Sequence, residues 1–68
     1  MIKFILDLTH DANEVSIKIY HDEKLVDDLI LVSERPYSFV FRFVSWVEDY
    51  LDEAGLVDQE YFTYVRLH

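Results

Sequence analysis

Residues 39–55 read FVFRFVSWVEDYLDEAG, and the fold turns on whether this stretch is a strand or a helix. Its first half has strand chemistry: Phe39, Val40, Phe41, Phe43 and Val44 are the β-branched and aromatic types that suit a pleated surface. Its spacing is helical. Val40, Phe43, Val44, Val47, Tyr50, Leu51 and Ala54 recur at i, i+3 and i+4, while Arg42, Ser45, Glu48, Asp49, Asp52 and Glu53 fill the opposite arc. The pattern outlasts an ordinary strand, so it predicts a helix over 37–54. Pro36 suits a first helical turn, Ser33 is a candidate cap, and the residue before the proline, Arg35, is biased to extended backbone. Gly55 stands where a left-handed C-cap belongs, with Leu56 placed for the closing apolar contact.

The chain on either side alternates with period two, the signature of strands with one covered face. In residues 2–9, Ile2, Phe4, Leu6 and Leu8 share one face, with Lys3, Ile5 and Asp7 on the other. In residues 14–21, Val15, Ile17 and Ile19 share a face. Pairing Thr9 with Glu14 across the HDAN loop sets Leu8 against Val15, Leu6 against Ile17 and Phe4 against Ile19. A slip of one residue would send every apolar side chain to the wrong side, so this register is well specified. A second hairpin turns at HDEK into the strand LVDDLILV. If Val26 faces Ile19, uninterrupted pairing would bury Asp28, so an extra residue at Asp27–Asp28 is expected there as a β-bulge. Residues 60–67, EYFTYVRL, form the last strand, and both of its faces are amphipathic, which leaves open which one turns inward.

The expected fold is therefore α+β, a βββαβ chain with a four-stranded mixed sheet in the order 3-2-1-4 and one helix packed on one face. Residues 1–68 are read as one small acidic domain. At this size the core must be rich to offset a large exposed surface. Here it is, with five Phe, five Tyr and one Trp. Without cysteine there is no disulfide or thiolate metal site, and the cytoplasm is the expected compartment. No apolar run is long enough to cross a bilayer.

The formal net charge is −8, from fourteen acids against six Lys and Arg. Such a chain repels DNA, RNA and anionic membranes, so direct nucleic-acid or membrane binding is not expected, and a basic protein surface is. The acids form groups: Asp22 and Glu23 at a turn, Asp27 and Asp28 at the expected bulge, and Glu48, Asp49, Asp52 and Glu53 on the helix, followed by Asp58 and Glu60. The helix group opposes helix stability. Glu48–Asp52 and Asp49–Glu53 are like-charge i, i+4 pairs, and they lie near the negative end of the macrodipole without a compensating cation. One reading is a solvated face. The other is that carboxylates spaced a few ångströms apart imitate the phosphates of a nucleic-acid backbone and occupy a Lys/Arg-lined groove.

In size and charge the chain resembles the small acidic proteins of phage and mobile elements, anti-CRISPR, anti-restriction and glycosylase-inhibitor proteins among them. That resemblance of class carries over no residues. It implies a DNA-mimic inhibitor whose partner is a nuclease, an effector or another nucleic-acid-binding protein. A second reading rests on the uncovered sheet face. Ile5, Tyr20, Ile30 and Tyr64, with Leu25, Val32, Phe62 and Tyr61 as further candidates, would make it the contact surface of a small homodimeric structural or adaptor protein. Scattered surface hydrophobicity would account for the same residues.

Catalytic chemistry finds no foothold. Gly55 is the sole glycine, so no phosphate-cradling loop exists, and Ser33, Ser38 and Ser45 have no base nearby in the pattern. His10, His21 and His68 fall at strand ends without metal-ligand spacing. No enzyme activity, metal or cofactor is expected.

Overall fold

The alternating N-terminal half folds as a meander, and the disputed stretch is a helix. In a computed structural model of the chain, residues 1–8, 13–32 and 35–67 are described, the side chains of residues 36 and 37 excepted. The elements are β1 (Ile2–Leu8), β2 (Glu14–His21), β3 (Lys24–Val32), α1 (Pro36–Glu53) and β4 (Tyr61–Leu67). They form a four-stranded sheet in the order β3-β2-β1-β4, with β4 parallel to β1, as the pattern predicts. The expected Thr9 pairing and the Ser33 cap lie outside the described residues.

The register of β1 on β2 follows the apolar alternation. Leu8 opposes Val15, Leu6 opposes Ile17 and Phe4 opposes Ile19, all buried beneath the helix. On β3, Leu29 opposes Ile17 and Leu31 opposes Val15, as expected, but the bulge sits elsewhere. Tyr20 pairs with Leu25 and Ile19 with Asp27, so the extra residue is Val26, which is 56% exposed, and not Asp27 or Asp28. Two polar contacts favour this placement. The Asp28 backbone N–H donates to Asp27 Oδ1 at 3.0 Å, and Asp28 turns to the uncovered face, where it accepts from Ser16 Oγ at 3.3 Å.

Helix α1 buries Phe39, Phe43, Val47 and Leu51 against the sheet, with Val40, Trp46 and Tyr50 half-buried beside them. Full burial of such side chains contributes about 1.5–3 kcal/mol each. Val44 and Ala54, expected in the stripe, are exposed, and Phe39 and Trp46 take their places. At 100° per residue, Val44 stands just beyond Leu51, at the edge of the buried arc, and Ala54 falls at the C-cap, past the last helical residue. Phe41 lies farther round and is 88% exposed.

The helix ends as Gly55 predicts. With φ 71° at Gly55, the Leu56 N–H donates to the Leu51 carbonyl at 2.8 Å and the Gly55 N–H to the Asp52 carbonyl at 3.2 Å. These two bonds make a Schellman motif, and Leu56 closes it by packing on the core. At the other end no side chain caps the helix, and Arg35 holds the N-cap position ahead of Pro36 at the first turn.

The choice of face in β4 is settled by what lies opposite. Tyr61 turns inward and meets Phe4 edge-on, ring centroids 6.1 Å apart, so it is not part of an exposed contact face. Phe62, Tyr64 and Arg66 turn outward, where Arg66 reaches Asp7, its register partner on β1. Nε donates to Asp7 Oδ1 at 2.6 Å and Nη2 to Oδ2 at 2.9 Å, a two-pronged pair around a carboxylate only 4% exposed as a residue. That pairing holds the Arg66 guanidinium above its ordinary pKa, the hydrogen bond first and the charge attraction second.

Candidate functional site

Seven of the fourteen acids converge on one end of the molecule, and the register places them there. β1 begins at Ile2, which pairs with His21 at the end of β2 and with Tyr61 at the start of β4. The β2–β3 turn, carrying Asp22 and Glu23, is tied to this edge by the Asp22 N–H donating to the Met1 carbonyl at 3.0 Å. Glu60 joins it through its carbonyl, which accepts from the Ile2 N–H at 3.1 Å, and Asp58 lies exposed just before. The last turns of α1 arrive at the same end, with Tyr50 5.7 Å from Phe4, which packs in turn on Tyr61. Asp49, Asp52 and Glu53 are thus gathered with the turn and the α1–β4 connection into an acidic pole. Lys24, opening β3, is a cation at its margin.

The turn itself is unusual. Asp22 and Glu23 both have positive φ, 51° and 68°, as a two-residue mirror-image turn requires, though glycine or asparagine is the usual occupant. The Met1 amino group lies 2.9 Å from Asp22 Oδ1. That hydrogen bond first, its charge second and the neighbouring His21 third hold the Asp22 carboxyl below the usual carboxylate range, so it keeps its charge in mild acid.

On the helix the four acids do not act alike. Asp49 and Glu53, with Trp46 and Tyr50, line a shallow hollow on one flank. The indole and phenol rings stack, centroids 5.6 Å apart and 20° from parallel, with Phe4 edge-on to both. The hollow therefore has an aromatic floor braced by its packing against the core, and two carboxylates on its wall. Glu48 and Asp52, four residues apart, occupy the outer arc. Among the described residues no ion pair involves Glu48, Asp49, Asp52 or Glu53.

Asp27 and Asp28 separate. Asp27 is half-buried on the helix side, whereas Asp28 lies on the uncovered face with its Oδ2 3.6 Å from Lys18 Nζ. Lys18 in turn lies 3.7 Å from Asp7 Oδ2. Asp28 thus belongs to a charge-paired row across the sheet rather than to the pole. Ile5, Tyr20, Ile30 and Tyr64 lie on the open face, whereas Tyr61 does not. Ile5 and Tyr20 are half-buried, and Ile30 and Tyr64 are exposed. His21 is 3.7 Å from Asp22, and among the described residues no cluster of metal-ligating side chains forms. His10 and His68 lie outside the described residues.

Trp46 and Tyr50 are the site residues the pattern did not single out. The signal was present, because positions 46, 49, 50 and 53 share one helical flank, but the sequence reading assigned Tyr50 to the core and left Trp46 unplaced. No helix of the described residues is long and apolar enough to cross a membrane. No family model, no curated protein and no solved structure matches the chain.

Proposed function

We propose that the chain is an acidic binding protein that occupies a basic surface of a nucleic-acid-handling partner, a role of the kind phage and mobile-element inhibitors fill. One observation carries this reading: the stacked Trp46–Tyr50 floor walled by Asp49 and Glu53, set in an acidic pole. A partner guanidinium is planar and weakly hydrated, stacks on aromatic faces and pairs with carboxylates, so it matches floor and wall together. Carboxylates on adjacent helical turns sit about 5–6 Å apart, comparable to the spacing of backbone phosphates that an Arg-lined groove is built to take. The acids around the hollow add long-range attraction that speeds encounter with a cationic groove. The role is one of binding rather than catalysis, exercised in the cytoplasm.

The test uses the protein as bait in a lysate of its host, beside an Asp49→Asn, Asp52→Asn, Glu53→Gln variant and a Trp46→Leu variant. The expected result is a nucleic-acid-handling protein that elutes with salt, is lost from both variants and is displaced by duplex DNA. A partner retained equally by all three baits and indifferent to salt and DNA would overturn the reading.

A further inference from the structure

The sheet face opposite the helix has a different character from the pole, and no described element covers it. It carries Lys3, Lys18 and Arg66, half of the six Lys and Arg in the chain, set among Asp7, Asp28 and Glu14. Its charges balance on a molecule whose net charge is −8. Between them stand Tyr20, Leu25, Phe62 and Tyr64, the last three 45–50% exposed. A basic partner gains nothing from a neutral face. A second copy of this chain meets strong repulsion elsewhere and none here.

We propose that two copies pair through this face, about a two-fold axis that lies in the interface and runs along the strands between β1 and β2. The register allows the choice of axis to be worked out. Across the sheet the first row reads Leu25, Tyr20, Lys3, Phe62, the second Asp28, Lys18, Ile5, Tyr64, and the third Ile30, Ser16, Asp7, Arg66. An axis along the strands keeps each row level and exchanges its ends. Leu25 then meets Phe62 of the other copy, Tyr20 meets Lys3, and Asp28 meets the Tyr64 hydroxyl, which donates to it. Ser16 meets Asp7 in the third row, and the stems of Lys18 and Arg66 lie along Ile5 and Ile30 of the other copy, so no charge meets its like. Lys3 already lies 6.0 Å from a ring centroid within its own chain, that of Tyr64. An in-plane axis across the strands would instead set Asp28 on Asp28 and Lys18 on Lys18, which like-charge repulsion rejects. The pairing is of the aligned sheet-on-sheet type.

Seven residues by four strands give a footprint of about 23 by 19 Å per copy, below what a stable specific dimer buries and in the range of weak, transient contacts, so the dimer forms and dissociates with concentration.

The absence of cysteine makes cross-linking a clean test. Leu25 and Phe62 lie on opposite edges of one sheet, roughly 14 Å apart across three strand spacings, too far for a disulfide within one copy. A Leu25→Cys, Phe62→Cys double variant is expected to give a covalent dimer with a short bis-maleimide, which spans the gap of about 10 Å between facing sheets that a direct disulfide does not, while neither single variant does. Ultracentrifugation of the unaltered chain is expected to show monomer and dimer exchanging with concentration, and Tyr64→Glu to move the midpoint about tenfold higher or beyond. Circular dichroism on each variant confirms that it is folded. A Tyr64→Cys single variant that cross-links to itself would overturn the axis. A monomer at every concentration, with no cross-link in the double variant, would overturn the dimer. Neither result touches the acidic pole, whose substitutions leave this face intact.

Discussion

Neutralising the last turn of α1 should make the protein more stable, and the size of the gain can be worked from the structure. Asp52 and Glu53 lie in the final turn, exposed, with no basic residue in that turn and no ion pair among the described residues. The double change Asp52→Asn, Glu53→Gln leaves helix propensity nearly constant, so it isolates charge. It relieves two like-charge pairs, Glu48–Asp52 and Asp49–Glu53, at about 0.2–0.5 kcal/mol each. It also removes two anions from the negative end of the macrodipole, at about 0.3–1 kcal/mol each. The side chains are exposed, so the low end of each range applies and the gain is about 1 kcal/mol. In thermal melts that is a rise of about 4–8 °C in Tm for a chain of this size. Urea titration at low ionic strength should show the same gain, and at about 1 M salt, where the Debye length falls to about 3 Å, most of it should vanish. A variant no more stable than the parent at low salt, or a gain that salt leaves untouched, would refute the claim that these acids stand against helix stability. With it would go the main reason for assigning them a purpose.

Three further outcomes follow from the backbone and the buried pair. Glu23→Gly should stabilise by about 1 kcal/mol, since φ 68° is strained for glutamate and free for glycine; urea midpoints compare the two. Gly55→Ala should cost about 1 kcal/mol by the same measurement, and the cost is conformational alone, because an added Cβ would meet nothing within 4 Å. Arg66→Met should destabilise the fold more than Lys18→Met in the same urea titration. The first removes a two-pronged bond to a buried carboxylate, and the second removes two longer contacts, at 3.7 Å to Asp7 and 3.6 Å to Asp28.

Much of the fold was legible because few alternatives fit. In β1 and β2 a slip of one residue would have turned either Lys18 or the pair Lys3 and Asp7 under the helix, so the apolar alternation selected the register. Gly55 marked the helix end because only a residue free at positive φ closes that turn without strain. The position of the bulge was not legible. Val26 is apolar, and hydrophobicity argued for placing it inward, but on an edge strand the polar needs of Asp27 and Asp28 decide. The face of β4 looked undetermined from its own residues, yet Asp7 held the answer. An aspartate on the uncovered face of β1 asks for a cation from its neighbour, and only one phase of β4 puts Arg66 there. The acids were visible as a composition, but their convergence on one pole depends on long-range pairing that local spacing does not encode. Trp46 and Tyr50 were obscured for a related reason. A residue can be a core contact on its inner edge and a binding floor on its outer one, and periodicity reports only the first.

The bulge at Val26 has a consequence for how the protein behaves in a crowd. Sheets grow into fibres when each subunit offers two regular edges, one to receive a strand and one to extend the chain of additions. Here the β3 edge loses its even spacing of outward amides where Val26 interrupts the pairing, so that edge is a poor template. The β4 edge stays regular. A molecule with one competent edge can cap a growing ribbon but cannot lengthen it, and two such molecules meeting edge to edge exhaust their capacity at once. One extra residue thus works against strand-by-strand growth through the β3 edge.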